Sequence, residues 1–111
     1  MKVCFTAQGA TLESLSEERF GRAPYFIIVE SENGSVEAIR NPYADGGGGV
    51  GPKAAQVLIA NNVQALVSGQ VGGNAKEVLA AAGIAMYTFS AGGSVKDALD
   101  QFTKNTLARS G

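Results

Sequence analysis

The stretch Tyr25-Phe26-Ile27-Ile28-Val29-Glu30-Ser31-Glu32-Asn33-Gly34-Ser35-Val36-Glu37-Ala38-Ile39-Arg40 reads as two strands and a turn. The run from Tyr25 to Val29 is continuously apolar, which suits a strand covered on both faces. Asn33-Gly34, set between two extended runs, is a strong short-range hairpin signal. The two strands are therefore expected to be antiparallel. Glu37 and Arg40 place charge on the second of them, as befits a sheet edge that must resist pairing with other chains.

Before this hairpin, residues 3–6 form a short apolar strand, and residues 12–23 are charged and irregular. After it, Ala54, Ala55, Val57, Leu58 and Ile59 fall at helical spacing within residues 52–62. A strand at 65–68 follows. A helix at 75–82 has Asn74 as its expected N-cap and Gly83 in the C′ position. After a strand at 84–89, Ser94 opens a third helix with Asp97 three residues on, a variant capping box. Val95, Ala98, Leu99 and Phe102 make its buried stripe. The order β-β-β-α-β-α-β-α, with right-handed crossovers, predicts an α/β fold of ribonuclease-H-like type. Its three α/β/α layers enclose a five-stranded mixed sheet of order 3-2-1-4-5, with strand 2 antiparallel. Residues 1–103 form one domain and 104–111 a frayed tail.

At 111 residues the chain can hold a core without staples. Its single cysteine, Cys4, cannot form an internal disulfide, so a reducing cytoplasm is the expected setting. Cys4 lies mid-strand and reads as a small buried hydrophobe. There is no histidine, which excludes histidine triads and ordinary zinc cages. A net charge of −1 gives no field for nucleic acid or an anionic membrane, and no signal peptide or membrane span is read.

The parallel strands would send their C-terminal ends to one rim. The loops there are Ala7-Gln8-Gly9 and residues 41–51, 69–73 and 90–93, and they hold nearly all the loop glycines. Ligands of open α/β sheets bind at this rim. Gly46-Gly47-Gly48-Gly49-Val50-Gly51-Pro52 runs into a helix start, where free N–H groups and the helix dipole favour an anion. The expected site comprises Gln8, Gly9, Gly46, Gly47, Gly48, Gly49, Gly51, Gly69, Gly72, Asn74, Gly92 and Gly93. Arg19 and Arg22 are its charge partners or, equally, a solvated loop face. No metal ligands and no catalytic residues are assigned. A nuclease would need carboxylates on the first strand, which carries Cys4 and Thr6 instead. A P-loop would need a hydroxyl after its lysine, where Lys53 is followed by Ala54.

Arg19-Phe20-Gly21-Arg22-Ala23-Pro24-Tyr25-Phe26 resembles a hallmark of the dinitrogenase iron–molybdenum cofactor biosynthesis family. The likeness continues through Asn41-Pro42, the glycine loop, Ala54-Ala55-Gln56, Gly69-Gln70-Val71-Gly72 with Asn74-Ala75, Ala81-Ala82-Gly83-Ile84 and Ala91-Gly92-Gly93-Ser94-Val95. It implies a small stand-alone NifX-like cofactor-binding domain of a prokaryote, which carries or inserts an iron–molybdenum or other metal–sulfur cluster or its precursor. Several members have a histidine or cysteine near the glycine loop, and the first strand often ends Ser-Asp-Gly. Here the loop has neither residue and the strand ends Ala7-Gln8-Gly9. The resemblance and the rim together lead to a non-catalytic carrier that holds an anionic cluster or oxyanion without covalent ligation, with cluster-assembly proteins as its partners. The rival readings are a protein-interaction or regulatory module using the same rim, and a small enzyme.

Overall fold

The computed structural model describes residues 1–46, 49–90 and 92–110. Strands β1 (Lys2–Ala7), β2 (Tyr25–Glu30) and β3 (Val36–Arg40) come first. They are followed by helix α1 (Val50–Ala60), β4 (Ala65–Ser68), α2 (Gly73–Ala81), β5 (Ala85–Thr88), α3 (Val95–Thr103) and β6 (Ala108–Ser110). The sheet order is β3-β2-β1-β4-β5-β6. β2 is antiparallel to both β1 and β3, as the Asn33-Gly34 turn requires. Gly34 takes φ +73°, a conformation costly for any residue with a Cβ. β1, β4 and β5 run parallel.

Alternation along the strands divides the core into two layers. Cys4, Phe26, Ile28, Leu66 and Met86 face one side of the sheet, where they pack with Ala54, Ala55 and Leu58 of α1 and Ala75 and Leu79 of α2. Val3, Phe5, Ala7, Ile27, Val29, Ala65 and Val67 face the other side, against Val95 and Ala98 of α3. This is the three-layer α/β/α arrangement. The long β1–β2 connection joins the first layer through Phe20, which is buried and stacked on Phe26 with ring centroids 5.5 Å apart. Cys4 is fully buried at the centre of β1.

The expected five strands become six. The segment read as a frayed tail contributes β6, which pairs antiparallel with β5 through Met86↔Ser110, Tyr87↔Arg109 and Thr88↔Ala108. Leu107 packs against the α3 layer, and the Arg109 guanidinium lies 5.6 Å from the Tyr87 ring centre. These contacts offset the entropy of ordering three mostly exposed residues. Two helix starts also shift. α1 begins at Val50 rather than 52, and α2 begins at Gly73 with Gly72, not Asn74, as its N-cap. Among the described residues no helix is long and apolar enough to cross a membrane.

Candidate functional site

The C-terminal ends of β1, β3, β4 and β5 lie at one rim, and the starts of α1, α2 and α3 follow from it. These three helix starts differ in what they leave free. At α3 the chain consumes its own donors. The N–H of Val95 donates to the Ser14 carbonyl at 2.9 Å, and that of Lys96 to the Leu12 carbonyl at 2.8 Å. Ser94 Oγ accepts from the Asp97 N–H at 3.1 Å, while an Asp97 carboxylate oxygen accepts from the Ser94 N–H at 3.0 Å. The capping box expected from Ser94 and Asp97 is therefore present, and the β1–β2 connection covers the rest of the helix end. That connection is itself stitched to the sheet: Gln8 N–H donates to Leu15 O, Glu17 N–H to Thr6 O, and Ser16 N–H to Gly93 O.

α1 and α2 are finished in the opposite way. Neither has a side-chain cap, and neither has an acidic residue in its first turn. Among the described residues, none accepts from the N–H groups of Val50 and Gly51, or of Gly73, Asn74 and Ala75. The two helices are neighbours at this end. A Cβ built on Gly51 would lie only 3.1 Å from Cβ of Ala75. Two sets of helix-terminal donors thus stand side by side, with their dipoles adding at one place. Each helix has lysine as its fourth residue, Lys53 and Lys76. Helical side chains lean back toward the N-terminus, a tendency that favours the open end for both. Lys53 Nζ lies 5.8 Å from the centre of the Tyr43 ring, on the loop leading into α1. A cation at a helix start opposes the dipole, whereas an anion bound there would satisfy both.

The expected glycines sort by what surrounds them. A Cβ on Gly69 would collide with Glu18, 2.6 Å from its carbonyl oxygen, where Gln70 N–H donates to Glu18 O and Phe20 N–H to Gln70 O. Gly9 is confined by Ser14, and Gly93 by Phe89 and Asp97. Gly46 lies against Val50 and the Tyr43 carbonyl. These four glycines serve the close approach of the chain to itself. Gly49, the N-cap of α1, and Gly92 take positive φ. Gly72 and its neighbour Gly73 have neither reason: their φ is negative, and a Cβ on either would meet nothing within 4 Å. Both lie at the open start of α2. Asn74 is exposed there. Gln8 is exposed beyond the end of β1. Gly47 and Gly48 lie outside the described residues.

The two arginines also part. Arg19 is largely exposed, with Nε 3.8 Å from a Glu17 carboxylate oxygen, a pairing of little energetic weight at such exposure. Its backbone lies beside Gln70, next to the start of α2. Arg22 is half-buried, and its Nη1 donates to the carbonyl oxygens of Ala44 and Gly46. Lys53 and Lys76 are not among the residues expected from the sequence, and the structure puts both in the opening turns of α1 and α2. The signal was available, because lysine rather than aspartate or glutamate stands in the opening turn of two glycine-led helices.

For metal ligation the side chains present fit poorly. Among the described residues no three of His, Cys, Asp and Glu are grouped to hold a metal ion. Cys4 is in mid-strand, and burial pushes its thiol far above the usual range, so it stays protonated and out of reach. The donor set of this rim is backbone N–H and ammonium, which suits an anion that brings its own complete coordination.

A mixed-sheet α/β domain in which two neighbouring helices start from glycine at the carboxyl rim without a side-chain cap is the class of protein that the fold and site define. The chain belongs to the dinitrogenase iron–molybdenum cofactor family, which it matches over residues 1–105. It is similar to a putative NifB protein from Thermotoga, solved by NMR, at 41% identity and TM-score 0.86 over 97% of this chain and 91% of that one. It is also similar to the apo form of the orange protein from Desulfovibrio gigas, at 32% identity and TM-score 0.93 over 98% and 92% of the two chains. No protein of curated function matches it.

Proposed function

We propose that this protein is a non-catalytic carrier or insertion protein for an anionic metal–sulfur cluster, either an iron–molybdenum cofactor or a precursor of it. The cluster is cargo, held without covalent ligation by the N–H groups that open α1 and α2, with Lys53 and Lys76 balancing its charge. One observation carries the reading: two adjacent helix starts have no side-chain cap and no acidic residue in the first turn, while the third helix on the same rim is fully capped by its own chain. Membership of a family named for the iron–molybdenum cofactor supports the choice of cargo. So does likeness to the orange protein, whose solved form is an apo form. Sulfide-terminated clusters are large, soft, multiply charged anions. A set of N–H donors at neighbouring helix starts stabilises them without replacing any of their own ligands.

The test is an anaerobic titration with tetrathiomolybdate, followed by its visible absorption bands, alongside metal and sulfide analysis of protein purified anaerobically from its native host. Saturable binding with displaced bands is expected. If neither thiomolybdate nor a synthetic iron–sulfur anion binds, the carrier reading falls, and a protein-binding role for the rim takes its place.

A further inference from the structure

Asn41 and Arg22 join two segments distant in sequence into one bracket at the start of α1. Asn41 is 2% exposed. Its Nδ2 donates to the carbonyls of Gly21 and Ala23 at 3.2 and 3.0 Å, and its Oδ1 accepts from the Tyr43 N–H at 3.0 Å. Its own N–H donates to the Pro24 carbonyl at 2.9 Å. From the same segment, Arg22 Nη1 donates to the carbonyls of Ala44 at 3.3 Å and Gly46 at 2.5 Å. Between them Gly21 rests on the first turn of α1, where a Cβ would come within 3.2 Å of the Gly51 nitrogen. Gly46 and Gly49 have no side chains to fix the backbone on either side of the approach to α1, so the Arg22 contacts to residues 44 and 46 are the side-chain anchoring that the described residues show there.

We propose that Arg22 is a positioning residue. Its guanidinium holds residues 44–46 so that the N–H groups of Val50 and Gly51 stay directed at the ligand, and it does not touch the ligand itself. The inference rests on the anion-binding reading of the rim. Reaching a ligand would require the guanidinium to release two carbonyls already in hydrogen-bond range. Lysine cannot reproduce the grip, because its ammonium lacks the planar fork.

Arg22→Lys and Arg22→Met, with the parent protein, test this in two ways. In the unliganded protein, the amide NMR resonances of Gly46, Val50 and Gly51 are expected to shift or broaden in both variants, while those of Gly73 and Asn74 stay in place. In tetrathiomolybdate titrations over a range of salt, both variants are expected to bind about tenfold more weakly, the size of one lost charge-assisted hydrogen bond. The salt dependence should remain that of the parent. Parental affinity in Arg22→Lys together with a flattened salt dependence in Arg22→Met would overturn the proposal and make Arg22 a ligand contact. Unchanged amide resonances in both variants would also overturn it. The amide measurement needs no ligand, so it tests Arg22's hold on residues 44–46 separately from the anion-binding reading, which failure of the parent to bind any candidate anion would remove. Should Arg22→Met fail to fold, Arg22→Lys, which keeps stem and charge, decides both measurements.

Discussion

The two faces of this sheet treat their helix ends in opposite ways. On one face, α3 starts with a serine cap, a reciprocal aspartate and two carbonyls from the β1–β2 connection, so its opening N–H groups are all engaged. On the other, α1 and α2 start from glycine with no side-chain cap and lysine in place of acid. A side-chain cap gains only about a few tenths of a kcal/mol over a glycine N-cap, so leaving Gly49 and Gly72 without one costs the fold little. The glycine rim is therefore not one surface. Its α3 half is structural, and in its α1–α2 half the opening N–H groups have no acceptor among the described residues.

The largest effect should come from closing the gap between the open starts. Gly51→Val would drive branched carbons into Ala75, whose Cβ is already only 3.1 Å from a Cβ at position 51. Overpacking of this kind costs about 1–3 kcal/mol. Thiomolybdate binding should be abolished, while circular dichroism shows a folded chain with a lowered melting temperature. Parental affinity in this variant would mean that the ligand sits elsewhere on the rim.

A cap can also be supplied. Gly72 has φ −63° and ψ 157°, a conformation suited to an N-cap, with open space around it. Gly72→Asp should stabilise the protein by about 0.5–1 kcal/mol in chemical denaturation. The same carboxylate would occupy the α2 donors and repel an anion, so affinity should fall about tenfold or more. Opposite signs in stability and binding would mark donors reserved for a ligand. A rise in both would remove α2 from the site.

These expectations rest on features that were unequally legible in the sequence. The hairpin was plain, because Asn33-Gly34 is a local signal between two apolar runs. The capping box at Ser94 and Asp97 was equally local. β6 was not visible: Ala108, Arg109 and Ser110 have no apolar period, and only the edge of β5 makes them a strand. The closure of α3 was hidden for a similar reason. Leu12 and Ser14 meet it through backbone carbonyls, which carry no residue code. The gathering of glycine into four loops was readable, but its causes were not. Gly69 answers to Glu18 and Gly93 to Phe89, contacts that exist only once the chain is folded. By residue type alone Asn74 reads as a cap, whereas the helix starts two residues earlier than that reading places it.

On the structural half of the rim the sign should reverse. Ser94→Ala removes the acceptor for Asp97 N–H and should cost about 1 kcal/mol in urea unfolding. Thiomolybdate affinity should stay within twofold of the parent, a range of about 0.4 kcal/mol. A parallel loss of affinity would join the two halves into a single site.

The smallest effect concerns Cys4, under the α1–α2 layer. Burial raises its thiol pKa in the folded protein far above the value of 9.0 that it regains on unfolding. Between those values the folded state holds a proton that the unfolded state has lost, so stability must fall as pH rises. The contribution is complete below pH 9.0 and decreases above it, by about 0.4 kcal/mol at the unfolded pKa itself and about 1.4 kcal/mol for each further pH unit. Lysines and tyrosines titrate in the same range, so the quantity to measure is the difference between the parent and Cys4→Ala. In urea unfolding that difference should be constant from pH 7 to 8 and shrink between pH 9 and 10, with the parent losing its advantage. Native protein should resist a bulky thiol reagent at pH 8 and react at once when unfolded. Cys4→Ala should bind thiomolybdate as the parent does. If that substitution alone removes binding, the thiolate is a ligand after all, and the open helix starts are not what holds the cluster.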